Sequence, residues 1–227
     1  MAIDGVTREN LVQRCLEPLR PSKPWQPDIL LVRADAGPIV VKDYQPRGFL
    51  YRFFVGLVST WNEARMYRKL AGLQGIPRYY GKLDRYALAI EYIEGRNASK
   101  FKTGELSHDF FHRLKQIVDS VHERNVVLCD LRNKKNIMIS KSGEPYLIDL
   151  ATAFERGRRW SFFRNGLYGI FYQDDYLGLA KLKRQLAPEI LTTEEADRLD
   201  RGLFMQNKAV AVRNFCVRWL KRLVSPS

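Results

Sequence analysis

Apolar and polar residues alternate in short runs through the first half of the chain, which predicts a small sheet. A turn at Ala34–Gly37 makes the first two strands a hairpin-like pair. Two helices accompany the sheet: a short one from Thr7 to Leu19, and a longer one that Ser59 or Thr60 caps and that ends near Leu73. The predicted strands are Asp28 to Arg33, Pro38 to Tyr44, Tyr79 to Leu83 and Tyr86 to Ile93.

Helical periodicity dominates the second half. Apolar side chains recur at helical spacing between Ser107 and Arg124, which predicts one long helix there. The chain from Phe154 onward is mostly helical and basic, and the short strands before it are predicted at Val126 to Leu128, Ile137 to Ser140 and Pro145 to Ile148. We therefore predict a single α+β domain over residues 1–227. It comprises a sheet-bearing half over about 1–93, a connector near 91–99 with a break at Gly95, and a helical half over about 100–227, with a cleft between the halves suited to a ligand.

Composition narrows the class of protein. A hydrophobic fraction of 45% over 227 residues excludes global disorder. The three cysteines, Cys15, Cys129 and Cys216, lie far apart, which argues against a disulfide framework or a structural zinc site and fits a reducing compartment. The first ten residues carry acids and lack an apolar core, so they are not a secretory signal, and the apolar runs break at charged residues. We expect a cytoplasmic, monomeric protein.

The net charge of +13 favours an acidic partner: nucleic acid, anionic lipid or a phosphorylated small molecule. Two stretches interleave basic residues with aromatic ones, Arg156–Arg164 and the tail from Lys208, which carries an apolar stripe that includes Trp219. Either they contact the inner face of the cytoplasmic membrane or an anionic glycolipid, or they pack on the helical half with solvated arginines. No aromatic-rich sheet motif or Gly-Arg repeat supports nucleic acid as the partner.

Candidate chemistry begins with a lysine and a glutamate. Lys42 ends the β-branched run Ile39-Val40-Val41, and a buried lysine there would need an anionic partner. Glu63 shares a helix face with Tyr67 and Leu70, so its carboxylate would point inward toward a cation. The alternative for each residue by itself is a solvated surface side chain.

Two further carboxylates and an amide follow apolar strands. Asp130 and Asn136 lie in a polar loop between two apolar runs, which suits a general base and a metal ligand at the mouth of a cleft. Asp149 follows the next apolar run. Because hard oxygen ligands with spare positions are typical of Mg²⁺ sites, Asn136 and Asp149 are the predicted ligands, with Asn133 as the second candidate amide. An ordinary polar turn is the alternative for the loop.

The order Lys, Glu, Asp, Asn, Asp resembles the protein-kinase fold from about Asp28 to Ala153. The resemblance implies a minimal two-lobed fold with a small antiparallel-sheet N-lobe, a shortened helical C-lobe, and a requirement for ATP and Mg²⁺. Lys42, oriented by Glu63, would hold the nucleotide phosphates, and Asp130 would be the catalytic base. The hinge would be the run Leu88 to Gly95, with Glu91 and Ile93 at the adenine.

The departures from the kinase pattern are specific. Arg33 to Gly37 offers one glycine in place of a Gly-rich motif, Leu128-Cys129 replaces His-Arg before Asp130, Asn136 comes one residue late, and Asp-Leu-Ala replaces Asp-Phe-Gly. Only 78 residues (227 − 149) follow Asp149, too few for an ordinary peptide-docking lobe.

The run Lys42 to Leu50 is similar to the bacterial lipopolysaccharide kinase family, which phosphorylates 3-deoxy-octulosonate or heptose. This resemblance implies an anionic glycolipid as the hydroxyl acceptor. Two alternatives stay open: a RIO-like atypical Ser/Thr kinase with a protein acceptor, and a non-catalytic pseudokinase that binds a partner.

Overall fold

A computed structural model describes residues 3–201 of the chain. The architecture is α+β, as predicted, with a five-stranded antiparallel sheet in the order β1-β2-β3-β5-β4. The hairpin pairs Asp28 with Asp43 and closes at Ala34 and Gly37. The strands are β1 (Cys15–Pro18), β2 (Asp28–Ala34), β3 (Gly37–Asp43), β4 (Tyr79–Lys82) and β5 (Ala87–Glu91).

The N-terminal segment departs from its prediction. Only Leu11–Arg14 is helical (α1), and Cys15–Pro18 forms the edge strand β1 against β2, so the predicted helix from Thr7 to Leu19 is wrong outside these four residues. Pairing with β2 satisfies backbone groups that a helix would have satisfied internally, and the buried Leu11 anchors the segment.

Residues before β1 cover one face of the sheet. Ile3, Val6 and Leu11 form a buried cluster whose sheet members include Val41 and Ala89. At the edge of this cluster, the Arg8 guanidinium binds both oxygens of Asp43, at 2.6 and 3.1 Å, and Asp84 at 2.7 Å. The segment is therefore part of the sheet's core packing.

The helix after β3 begins earlier than predicted. It runs through α2 (Phe49–Tyr51), a π-helical turn (Arg52–Gly56) and α3 (Leu57–Lys69), so Ser59 and Thr60 lie inside it rather than at its cap. A Cβ at Gly56 would lie 2.8 Å from the Cβ of Tyr44, so the glycine lets this helix pass close to the chain after β3. The helix ends at Lys69, four residues before Leu73.

A second region holds two smaller sheets and two long helices. The break predicted at Gly95 lies at residues 92–94, because β5 ends at Glu91 and Gly95 begins β6. A Cβ at Gly95 would lie 1.9 Å from the carbonyl oxygen of Ile139 on β8. Ser107 caps the predicted long helix, since its hydroxyl accepts a hydrogen bond from the Phe110 amide at 3.2 Å. The elements are β6 (Gly95–Asn97), α4 (His108–Glu123), β7 (Val126–Val127), β8 (Ile137–Ser140), β9 (Pro145–Leu147), β10 (Phe154–Glu155) and α5 (Phe162–Leu186).

The largest hydrophobic cluster joins the two regions. It combines α3 side chains such as Met66 and Tyr67 with Phe111 and Leu114 of α4 and Leu182 of α5. Strands β6, β8 and β9 form one small sheet, and β7 pairs with β10 in another. Within residues 3–201, no helix is long and apolar enough to cross a membrane. The predicted tail stripe lies outside the described residues.

Candidate functional site

Lys42 lies between two carboxylates. Its side chain comes from β3 and is 7% exposed, and its Nζ contacts Glu63 Oε1 from α3. The same Nζ lies 3.2 Å from Oδ1 of Asp149, just beyond β9. The predicted contact between Lys42 and Glu63 is confirmed as a contact, because the strand turns Lys42 toward the helix and Glu63 faces inward at 1% exposure.

The charged forms of Lys42 and Asp149 stabilise each other, whereas burial, with the nearby charge of Asp149, raises the pKa of the Glu63 carboxyl. Burial by itself lowers the pKa of the Lys42 ammonium, but the negative charges of Asp149 and Glu63 outweigh it and raise that pKa above its ordinary value. The positive charge of Lys42 holds the pKa of the Asp149 carboxyl below its usual range. The Asp149 side chain is 44% exposed, so an ionised carboxylate reaches the surface while the ammonium beside it stays buried.

Asp130 and the two candidate amides form a second cluster. Nδ2 of Asn136 donates to Oδ2 of Asp130 at 3.0 Å, and Nδ2 of Asn133 donates to the same oxygen at 3.3 Å. Asn133 also donates to Oδ1 of Asn136 at 3.3 Å, so the three side chains are mutually connected. Asn136 makes the shorter contact and is half-buried, whereas Asn133 is exposed.

The two clusters meet where β8 begins. The backbone amide of Ile148 donates to the carbonyl of Asn136 at 2.8 Å, which places Asn136 beside the residue that precedes Asp149. Asn136 and Asp149 thus lie on neighbouring stretches of main chain, and amide and carboxylate oxygens are of the kind that Mg²⁺ prefers. Among residues 3–201, no three His, Cys, Asp or Glu side chains are grouped to hold a metal by themselves.

Asp175 is a positioning residue that sequence reasoning missed. It is 1% exposed on α5, and its carboxylate accepts from the Leu128 amide at 2.8 Å and the Cys129 amide at 3.1 Å. Nε2 of His122 lies 3.0 Å from the same carboxylate. These contacts fix the backbone just before Asp130, where Cys129 has a φ of 66°. No local sequence signal marks Asp175, because it serves residues more than forty positions away.

Two other side chains complete this region. Nδ2 of Asn62 donates to the carbonyls of Ala151 and Ala153, at 2.9 and 2.8 Å, and so ties α3 to the segment that follows Asp149. Burial, reinforced by nearby carboxylates, raises the pKa of the Cys129 thiol, so this cysteine suits packing rather than nucleophilic chemistry.

The predicted hinge residues lie at the end of β5. The Glu91 carboxylate accepts from the backbone amide of Arg78 at 2.9 Å, and the Glu91 amide donates to the Arg78 carbonyl at 2.8 Å. Ile93 is 8% exposed. The Glu91 side chain is therefore engaged with the neighbouring chain, and a role at the adenine would fall to the main chain of this segment.

The β2–β3 turn is the segment where the sequence offers one glycine and no Gly-rich motif. It is tight, and the N-terminal segment holds it: Oδ2 of Asp4 accepts from the Ala36 amide at 2.9 Å, and Arg14 binds Asp35 at 2.7 Å. A turn held in this way offers little freedom to fold over phosphates. No protein-family model matches the chain, and a search of curated proteins also finds no match.

Proposed function

We propose that the protein is a phosphotransferase that uses ATP and Mg²⁺ to phosphorylate a hydroxyl group, in a minimal two-lobed kinase-like fold. The observation that carries the proposal is the meeting of five polar groups from four separate segments of the chain. Lys42, Glu63 and Asp149 form a charged triad, and Asp130 and Asn136 form a cluster joined to it through the Ile148 amide. Positioning and charge stabilisation are the main requirements of phosphoryl transfer.

The triad would bind the nucleotide. Lys42 stays protonated between its two carboxylates, so it presents a fixed positive charge to the α and β phosphates. Glu63 orients that ammonium from the buried side. Asp149 and Asn136 would hold Mg²⁺, which when bound neutralises negative charge on the phosphates.

Asp130 would orient the acceptor. Its carboxylate, itself oriented by Asn136, accepts a hydrogen bond from the acceptor hydroxyl and takes its proton. The acceptor oxygen forms a bond to the γ-phosphorus while the bond from that phosphorus to the β–γ bridging oxygen breaks, and ADP leaves with that oxygen. The resemblance to lipopolysaccharide kinases favours a sugar hydroxyl of an anionic glycolipid, with a protein Ser or Thr as the alternative acceptor.

A non-catalytic binding module is the second candidate. The observation in its favour is the β2–β3 turn, which Asp4 and Arg14 hold and which carries a carboxylate, Asp35, where a Gly-rich loop would otherwise cover phosphates. The intact triad and the Asp130 cluster support the catalytic proposal instead.

A thermal-shift experiment tests the nucleotide site. ATP with Mg²⁺ should raise the melting temperature of the native chain, because a ligand that binds only the folded state stabilises it. Asp149→Ala should lose the Mg²⁺-dependent part of the shift, while Asp109→Ala, at an exposed helix position, should keep it. The absence of any shift at millimolar nucleotide would refute the proposal.

A phosphotransfer assay tests catalysis. Asp130→Ala should abolish transfer from ATP to the acceptor and still show the thermal shift, since Asp130 acts on the acceptor. Asn136→Ala should reduce turnover more than Asn133→Ala, because Asn136 makes the shorter contact with Asp130. The opposite ranking would assign the ligand role to Asn133. Nucleotide binding without transfer to glycolipid or protein acceptors would favour the non-catalytic candidate.

A further inference from the structure

The helix between β3 and β4 exposes a row of apolar side chains. Leu50, Phe54, Val58 and Trp61 follow one another at helical spacing and are 52%, 60%, 60% and 52% exposed. The opposite face of α3 carries the buried Glu63. The helix therefore has one side in the core and a second apolar side turned to solvent, and exposed apolar patches of this kind mark interaction sites.

A second exposed aromatic group is linked to this row through Glu155 and two arginines. Phe162 and Phe163, at the start of α5, are each 82% exposed. Glu155 connects the two groups, because it contacts Arg65 of α3 and its carbonyl accepts from Nε of Arg164 of α5 at 3.0 Å. We define the aromatic–arginine surface as the four apolar side chains of the helical row together with Phe162 and Phe163.

The charge around this surface is positive. The guanidinium of Arg65 lies 5.5 Å from the centroid of the Trp61 ring. Residues 44–62 contain two arginines and no acid, and residues 156–173 contain four arginines and no acid. Glu155, which lies just before the second range, is bound by Lys69 at 2.8 Å in addition to Arg65. Arg47 is paired with Asp28, and Arg164 lies 3.9 Å from Glu155, so the exposed cations beside the aromatic rings are Arg156, Arg158 and Arg159.

We propose that the aromatic–arginine surface binds the protein to an anionic phospholipid bilayer. Aromatic and aliphatic side chains lower their free energy by entering the headgroup boundary, and arginines near an anionic membrane are attracted to its surface charge. A neutral protein partner would match the apolar rows but would leave the arginines without a counter-charge. The charge pattern therefore favours an anionic membrane as the occupant.

The position of the surface relates it to the candidate active site. Asn62 follows Trp61 and binds the carbonyls of Ala151 and Ala153, just beyond Asp149. A membrane against this surface would lie beside the segment that carries Asp149. This inference rests on the proposed function. Together they imply that the acceptor hydroxyl belongs to a molecule in the membrane.

Vesicle sedimentation of the full chain, without nucleotide, tests the inference. The protein should bind vesicles of phosphatidylcholine with phosphatidylglycerol, bind phosphatidylcholine alone far less, and release as salt screens the charges. Phe54→Ser/Val58→Ser should weaken partitioning by about tenfold or more. The matched control, Val12→Ser/Leu16→Ser, removes two exposed apolar side chains near the β2–β3 turn and should leave partitioning within about twofold.

Three results would overturn the inference. Equal binding to neutral and anionic vesicles would remove the role of the arginines, and unchanged binding of Phe54→Ser/Val58→Ser would move the contact elsewhere on the chain. The native chain could instead bind no vesicles and self-associate in light scattering. If Phe54→Ser/Val58→Ser abolished that association, the surface would be an interface between two copies. A circular dichroism spectrum that matches the native chain establishes that the variant folds. The Mg²⁺-ATP thermal shift tests the proposed function separately, so either idea can fail alone.

Discussion

Replacing Asp175 with asparagine should separate the placement of the Asp130 loop from nucleotide binding. The carboxylate accepts from two buried backbone amides, those of Leu128 and Cys129, and contacts His122. An asparagine can keep one oxygen toward the Leu128 amide, but it turns its NH₂ group toward the Cys129 amide, which then loses its acceptor.

The magnitude follows from the bonds lost. A hydrogen bond to a charged group contributes about 1.5–3 kcal/mol, and a buried donor without an acceptor costs about 1–3 kcal/mol, so the free energy of unfolding should fall by about 2–4 kcal/mol. Domains have a free energy of unfolding of about 5–15 kcal/mol, so Asp175→Asn should remain folded. Because a misplacement of about 1 Å can cost a hundredfold in rate, turnover should fall by about that factor.

Urea unfolding followed by circular dichroism gives the stability change, and the phosphotransfer assay gives the turnover. The Mg²⁺-ATP thermal shift should persist in Asp175→Asn, since the carboxylate touches neither Lys42 nor Asp149. The exposed Asp109→Asn is the control and should change the free energy of unfolding by less than about 0.5 kcal/mol. An Asp175→Asn variant with native turnover would refute the argument that this carboxylate places the loop.

Three further perturbations have defined outcomes. The pKa of Asp149 is lowered in the folded state by Lys42, so the stability advantage of the native chain over Asp149→Asn should be present at pH 7 and shrink below about pH 4 in urea unfolding. Ser107→Ala removes a helix cap and should lower the free energy of unfolding by about 1 kcal/mol. Ser107→Asp keeps a capping side chain and should retain the native free energy of unfolding. A Cβ at Gly75 would lie 2.1 Å from a side-chain carbon, while one at Gly72 meets open space, and both glycines have positive φ. In thermal melts, Gly75→Ala should therefore destabilise the protein more than Gly72→Ala, which adds only backbone strain.

Local patterns predicted the contact at the centre of the site. The β-branched run before Lys42 indicated a buried strand, and the spacing of Glu63 with Tyr67 indicated an inward-facing helix side, so their meeting required only that the helix pack on the strand. The Ser107 start of α4 was similarly predictable, because a cap acts within one helical turn. The roles of these residues toward ATP and Mg²⁺ stay predictions.

Features that depend on distant partners were not predictable. The helix-forming residues from Thr7 onward favoured a helix to Leu19, but the open edge of β2 makes Cys15–Pro18 a strand instead. Asp175 resembles any helix carboxylate until the fold brings it to the amides of Leu128 and Cys129. Gly95 looks like a simple strand end in the sequence, because only the fold brings β8 close against it.

The N-terminal segment has a consequence for how the chain folds during synthesis. Val6 and Leu11 are translated before β5, but their buried cluster includes Ala87 and Ala89 of that strand, and Arg8 binds Asp84. This face of the sheet cannot close until about eighty further residues have left the ribosome, and such long loops form slowly because their ends must first meet. These side chains are therefore translated long before their partners on β5, and they stay open to other contacts in the meantime.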